Sequence, residues 1–187
     1  RLLCDGGCLV SLTQFAIIES TLREGEQFAS ANFTPLQKME IAEKLDEFGV
    51  EMLELSSPVA SPQSEADVRM IVGMKLKARI LTHIRCNRED ALRALDTGVD
   101  GLDIVIGTSA ALRKHSHGKT IDEIIDLARE VLTFVRRQAP NVILRFSTED
   151  SFRSSEADLL RVYLAVAELG VLNRLGYRWH CNATASL

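Results

Sequence analysis

From residue 15 onward, short apolar runs alternate with longer stretches whose apolar residues recur every three or four positions. Runs of four to eight such residues read as strands, and the longer period reads as amphipathic helix. This places strands over 15–21, 51–56, 78–84, 101–106 and 142–147, with a sixth beginning near Val171. The spacing between them predicts helices. Thr34-Pro35 opens the first, an N-cap hydroxyl before proline at the first helical position, and Gly49 closes it behind Met39, Ile41, Ala42, Leu45 and Phe48. Ser61-Pro62 opens a second that reaches about Gly73, and a third runs from Arg88 to Thr97 before Gly98. Thr120 caps a fourth through Ile121, Ile124, Ile125, Leu127, Val131, Leu132 and Val135. Ser154 or Ser155 caps a fifth through Leu159, Leu160, Tyr163, Val166 and Leu169, ending at Gly170.

Alternating strands and helices imply a parallel sheet covered by helices. A doubly wound sheet and a (β/α)8 barrel both satisfy that pattern. No glycine-rich phosphate loop follows any strand, which argues against the nucleotide-binding sheet. Polar residues instead gather at the C-terminal end of strand after strand: 19–24, 54–57, 83–85, 107–109 and 147–150. In a barrel those ends converge on one mouth, where such enzymes place their chemistry. The expected class is therefore α/β, an incomplete TIM (β/α)8 barrel of about five β-α units plus part of a sixth strand, because a full barrel takes about 250 residues. Residues 1–14 read as an irregular N-terminal segment, 15–176 as a partial barrel catalytic domain, and 177–187 as a tail with neither strand alternation nor a helix cap.

Composition narrows the partners. Aromatics are only 5%, the net charge is −4 and no basic stripe occurs, so nucleic acid is not an expected partner. No apolar run approaches the roughly 18 residues that span a bilayer, so no membrane partner is expected. Cys4, Cys8, Cys86 and Cys181 are scattered without a second Cys or His pair at zinc spacing. They read as reduced thiols of an intracellular protein, with cytoplasm, mitochondrion and nucleus not distinguished.

Two motifs bear on chemistry. In Ser20-Thr-Leu-Arg-Glu-Gly-Glu-Gln27, Arg23 and Glu24 stand side by side in a turn after the first strand. An exposed pair of that kind contributes little. The functional alternative has Glu24 binding a divalent metal and Arg23 stabilising a developing oxyanion. The second motif is His115-Ser-His117. H-x-H on a strand would aim both rings to one side, as a metal pair requires. Here there is no apolar alternation and Gly118-Lys119 follows, so the segment reads as a loop over the mouth.

The octapeptide resembles the signature of the metallolyase barrels that include homocitrate, isopropylmalate and citramalate synthases and hydroxymethylglutaryl-CoA lyase. Leu81-Thr-His-Ile-Arg-Cys86, Gly98-Val-Asp-Gly-Leu-Asp103, Gly107-Thr-Ser109, Arg113-Lys-His-Ser-His-Gly-Lys119 and residues 145–154 resemble the homocitrate synthases of the lysine pathway. The likeness covers about residues 15–176. It implies an acyltransferase that condenses acetyl-CoA with 2-oxoglutarate to homocitrate and CoA, the first step of lysine biosynthesis by the aminoadipate route. It also implies a divalent metal ion (Zn, Mn or Mg) and a homodimer. By resemblance, Glu24 is a metal ligand, joined by histidines of an H-x-H on a later strand, and Arg23 is catalytic and substrate-binding, beside the oxygen that becomes an alkoxide. Gln27, His83, Arg145 and Ser147 contact substrate, and Glu149 is catalytic near the acetyl group. Glu54, His83 and Asp103 match positions where lysine, a feedback inhibitor, competes with substrate.

The physics of those positions is consistent with the roles. A second carboxylate on the substrate calls for cations, and arginine grips a carboxylate bidentately. The other reading of Arg145 is a charge paired with Glu149 or Asp150 along its own strand. An isopropylmalate synthase-like acyltransferase is the nearest alternative function, and a non-catalytic ligand-binding or interaction fragment is another. A flavodoxin-like regulatory domain is disfavoured because the third strand ends in His83 and Arg85 rather than acidic residues. After Gly176 the likeness stops, with Tyr177-Arg-Trp-His-Cys-Asn in place of the family pattern. The corresponding expectation is a truncated chain without synthase activity of its own.

Overall fold

The structure, a computed structural model, describes residues 16–169. Five strands, β1 (Ile18–Glu19), β2 (Met52–Leu55), β3 (Arg79–Arg85), β4 (Gly101–Gly107) and β5 (Ile143–Glu149), pair in parallel in the order of the chain. The connections contain α1 (Pro35–Phe48), α2 (Pro62–Gly73), α3 (Arg88–Asp96), the short α4 (Ala110–Leu112) and α5 (Ile121–Gln138), and α6 (Glu156–Ala167) follows β5. The result is an α/β half-barrel, as the alternation predicted. The sixth strand expected near Val171, the 1–14 segment and the 177–187 tail lie outside the described residues, as do Cys4, Cys8 and Cys181.

The helix boundaries follow local chemistry. Thr34 and Thr120 each accept a bond from the third helical N–H, and Gln37 and Glu123 reach back to the cap N–H, closing a capping box on α1 and on α5. Ser61 caps α2 and Asn87 caps α3 through their side-chain oxygens. Gly49 ends α1 with φ 93°, a left-handed conformation that a side chain would strain. Ser155 stands at the start of α6 without a side-chain cap bond, while the Ser154 hydroxyl donates to the Asp150 carbonyl at 3.1 Å.

The core lies between the sheet and the helices. Leu53, Ile84, Leu102 and Ile104 meet Val68, Ile71, Ile124, Val131, Leu132, Val135 and Val162, all buried. On α5 the buried positions are Ile121, Ile124, Ile125, Ala128, Val131, Leu132 and Val135, the three-four spacing that puts one stripe against the sheet. Phe48 and Leu160, predicted on apolar faces, are 80% and 39% exposed. Phe48 is the final residue of its helix, beside the reversal at Gly49, where the helical stripe has run out.

β1 is shorter than the predicted 15–21. Arg23 and Glu24 donate their N–H groups to the Ser20 carbonyl, so the chain turns at Ser20 and leaves the ladder. The segment at 113–117 also differs from the expected loop. α4 is capped by Ser109 and runs on into a π-helical turn over Arg113–His117, which Gly118 ends with φ 70°. The apolar pattern of this segment was too short to announce a helix, and its cap and terminator supply the order. Gly107 makes room for it, since a Cβ there would meet Leu112 Cδ1 at 2.6 Å.

Candidate active site

The strand register gathers the site. His83 on β3 is level with Asp103 on β4, and Asp103 is level with Arg145 on β5. Neighbouring strands run about 4.8 Å apart, so three side chains in one row on one face must interact. The period of two puts Arg145, Ser147 and Glu149 on that same face of β5. Glu54 enters from β2, and the Ser20 turn after β1 brings in Arg23, Glu24 and Gln27.

These groups line a cleft of about 130 Å³ formed by Arg23, Glu24, Gln27, His83, Val105, Ser147, Thr148 and Glu149. Six of the sequence-predicted residues border it. The other three, Glu54, Asp103 and Arg145, stand just beneath as one charge network. Arg145 Nη1 is 3.3 Å from Asp103 Oδ2 and 3.6 Å from Glu54 Oε1, and Arg23 Nη1 is 4.0 Å from Glu54 Oε2. Arg145 therefore pairs across the strands and not with Glu149 or Asp150. The Ser147 hydroxyl donates to Asp103 at 2.9 Å. Arg23 also pairs with Glu24, whose side chain is 35% exposed at the cleft wall.

His83 sits between the two charge types. Arg23 Nη2 lies 3.2 Å from its Nε2. A guanidinium only donates, so Nε2 accepts and Nδ1 carries the ring hydrogen. Nδ1 is 3.9 Å from both Glu54 Oε1 and Asp103 Oδ2, beyond hydrogen-bond reach. Both His83 Nδ1 and Glu54 Oε1 are buried without a hydrogen-bond partner, a gap in an otherwise saturated network.

The carboxylates titrate in opposite directions. Burial opposes the ionisation of Glu54, but the His83 ring, Arg23, Asp103 and Arg145 outweigh it and hold its carboxyl at about 2. Asp103 is fully buried, and burial pushes its carboxyl upward. Arg145, His83 and Ser147 pull it down, and the Glu54 charge adds to the rise. The two neighbouring carboxyls are thus pushed apart, Glu54 down by its cations and Asp103 up by its burial.

Glu54, His83 and Asp103 each offer one ligand atom within 4.8 Å of the others, the spacing of a metal site. Two guanidiniums already balance their charge, so a dication placed among them would face like charge. Glu24 offers a carboxylate on the cleft wall without that burden beyond Arg23. One carboxylate is not a coordination shell, and a cation held there needs further protein or substrate oxygens. His117 does not join it. Its Nε2 lies 2.9 Å from the Gly107 carbonyl while His115 is exposed, so the two histidines do not act together. Cys86 is free and buried, with burial pushing its thiol up to about 12, which leaves it unreactive.

The sequence reading missed Thr148, which lines the cleft, and Glu26, which holds the turn after β1. Thr148 stood within the polar 147–150 strand end, but the two-residue alternation assigned it to the face opposite Ser147 and Glu149. Glu26 lay in plain view between Gly25 and Gln27, but its partners are distant in sequence.

A family model described as HMGL-like matches residues 14–174. The chain is 56% identical over 168 residues to the mitochondrial homocitrate synthase of Penicillium rubens, covering 90% of this chain and 35% of that protein. It is 53% identical over 171 residues to the cytosolic homocitrate synthase isozyme of Saccharomyces cerevisiae, covering 91% and 39%. The chain thus spans between a third and two fifths of the length of these curated relatives. Among solved structures, an HMG-CoA lyase of Bacillus subtilis superposes with a TM-score of 0.69 at 18% identity, over 84% of this chain and 56% of that one, which is a likeness of fold. With the match running through every strand that builds the cleft, the chain belongs to the HMGL-like family.

Proposed function

We propose that the protein containing this chain is a homocitrate synthase-type acyltransferase, joining acetyl-CoA to 2-oxoglutarate to give homocitrate and CoA at the start of lysine biosynthesis by the aminoadipate route. One observation carries the reading: Arg23 and His83 line a single small cleft with Ser147 and Glu149, and the Arg145 guanidinium stands directly beneath it. The close similarity to homocitrate synthases supports it.

The residue roles follow from their chemistry. Arg145, His83 and Ser147 take the far carboxylate of 2-oxoglutarate, where bidentate arginine contacts give both energy and orientation. Arg23, reaching the cleft from the β1 turn, donates to the oxygen that gains charge as the new carbon–carbon bond forms. Gln27 contacts substrate from the same turn. Glu149 faces the cleft and is the candidate for taking or orienting a proton of the acetyl group. Glu24 would supply one ligand to a divalent metal ion, which when bound polarises the keto oxygen of the 2-oxo acid. By the resemblance to homocitrate synthases, Glu54, His83 and Asp103 form the candidate lysine site. The proposal includes a homodimer and an intracellular location, in keeping with mitochondrial and cytosolic relatives.

The test is thiol release by the intact protein supplied with acetyl-CoA, 2-oxoglutarate and a divalent metal, with the product identified by mass. Release that depends on all three, yielding homocitrate, is expected. Release only with a branched 2-oxo monocarboxylate would favour the isopropylmalate synthase-like alternative, and release with no 2-oxo acid would be acetyl-CoA hydrolysis and overturn the reading.

A further inference from the structure

A second charge network lies beside the cleft, outside every role assigned above. Lys38, one turn into α1, points its ammonium between two carboxylates, 2.6 Å from Glu26 Oε1 and 2.6 Å from Asp67 Oδ2. The three side chains are only 14%, 18% and 8% exposed. Gln63 Nε2 donates to the other Asp67 oxygen at 2.7 Å. Ser56 Oγ is within hydrogen-bond distance of Glu26 Oε2, at 3.1 Å, and of the Leu22 carbonyl, at 3.3 Å, and the Ser56 N–H also donates to Leu22. Every one of these contacts therefore ends on the turn that carries Arg23, Glu24 and Gln27, or on an element that holds that turn in place. Glu26 itself lies between Glu24 and Gln27 in the Gly25–Gln27 3-10 turn.

The arrangement is not that of an ordinary surface pair. The exposed pair on the same helix, Lys44 with Glu47, is 73% and 59% exposed and joins two residues of one helix. Lys38 joins three elements distant in sequence. Burial pulls its ammonium down, and Asp67 and Glu26 outweigh that and raise it, so the cation stays charged. The first half of the turn is held by buried Leu22, by Ser56 on the Leu22 carbonyl and by Arg23 against His83 and Glu54, whereas Gln27 and Phe28 are exposed and Glu26 ties down the second half through Lys38 and Ser56.

We infer that Lys38 is a positioning residue: its paired contacts to Glu26 and Asp67 lock the 20–28 turn onto α1 and α2, and so fix where Arg23 and Glu24 present their charges to the cleft. The inference rests on the proposed reading of the cleft for its functional consequence, and on geometry alone for its structural one. Misplacement of a catalytic charge by about 1 Å is enough to cost on the order of a hundredfold in rate.

The test compares the intact protein with Lys38→Met, Lys38→Arg and Lys44→Met, by residue-resolved hydrogen exchange and by thiol-release kinetics. Methionine is a good helix former, so α1 is kept. In Lys38→Met the amides of Arg23, Glu24, Gln27 and Phe28 are expected to exchange at least about tenfold faster. Those of β3, β4 and α5 should not change, and kcat/KM for 2-oxoglutarate should fall at least tenfold. Lys38→Arg should restore most of both losses, and Lys44→Met should match the unaltered protein. Unchanged exchange in 20–28, a uniform acceleration across the whole fold, or failure of arginine to rescue would each overturn the inference. If the unaltered protein releases no thiol, the proposed reaction fails, while the exchange comparison still decides the role of Lys38.

Discussion

Replacing Arg145 by methionine tests the charge network most sharply. The substitution keeps an apolar stem and removes a cation 3.3 Å from Asp103, which is wholly buried, and 3.6 Å from Glu54. At an effective dielectric near 20, a pair 3.3 Å apart is worth about 5 kcal/mol. The stranded carboxylate has an escape, because it can bind a proton. Protonating a carboxyl with an ordinary value near 3.9 at pH 7 costs about 4 kcal/mol, which caps the loss. Since Asp103 is already raised in the intact network, the expected destabilisation is about 2–4 kcal/mol at pH 7.

The sign of the pH dependence follows. Loss of Arg145 raises the folded value of Asp103 further above its unfolded one, so the folded variant holds a proton that the unfolded chain releases. Stability relative to the parent is then retained at low pH and lost as pH rises through that window, by up to about 1.4 kcal/mol per pH unit. Denaturant unfolding of both proteins at pH 5, 6 and 7 measures it. A difference below about 1 kcal/mol, or one that stays flat or grows on acidification, would refute the network as drawn.

Four further outcomes are expected. Glu149→Gln should lower kcat for thiol release at least about a hundredfold while changing KM for 2-oxoglutarate little, if the group moves a proton. Thr120→Ala removes the hydroxyl half of the α5 capping box and should cost about 1 kcal/mol in denaturant unfolding, with cleft ligand affinity unchanged. Gly101→Ala places a Cβ 2.8 Å from Ile143 Cβ and 3.0 Å from Leu81 Cγ, so it should destabilise by about 1–3 kcal/mol by the same measurement. On acidification, Glu54 contributes stability that is present above its ordinary carboxyl value and lost as pH falls toward about 2. Glu54→Gln should therefore flatten the acid limb of the unfolding profile.

Much of this architecture was legible because parallel sheets and their helices write their period into the chain. β2 to β5 fall within a residue or two of the apolar runs, and Thr34, Ser61 and Thr120 mark helix starts by hydroxyls that the first turn needs. The ends of elements were less legible where tertiary contacts decide them. β1 stops at Glu19 because the Ser20 carbonyl takes the N–H groups of Arg23 and Glu24, and nothing in an apolar run foretells that. The π-helical turn at Arg113–His117 depends on Ser109 and Gly118 at its two ends rather than on periodicity.

The site shows the same division. The i, i+2 spacing of Arg145, Ser147 and Glu149 puts them on one face from sequence alone. Which acid Arg145 meets depends on register, and it is Asp103 across the ladder rather than Glu149 or Asp150 along the strand. Lys38, Glu26 and Asp67 come from three segments whose proximity only the packed helices create. Such contacts have no local period, and so leave no trace in the pattern of the chain.

The central claim is that His83 and Arg145 make this cleft select a 2-oxo acid with a second carboxylate. The most direct measurement is thiol release by the intact protein and by its Arg145→Met variant, with 2-oxoglutarate set against a branched 2-oxo monocarboxylate of similar length. Two charge-assisted contacts predict a preference for 2-oxoglutarate in kcat/KM of at least about a hundredfold, largely lost in the variant. Equal use of the two acids by the unaltered protein, or a preference that survives the loss of Arg145, would contradict it.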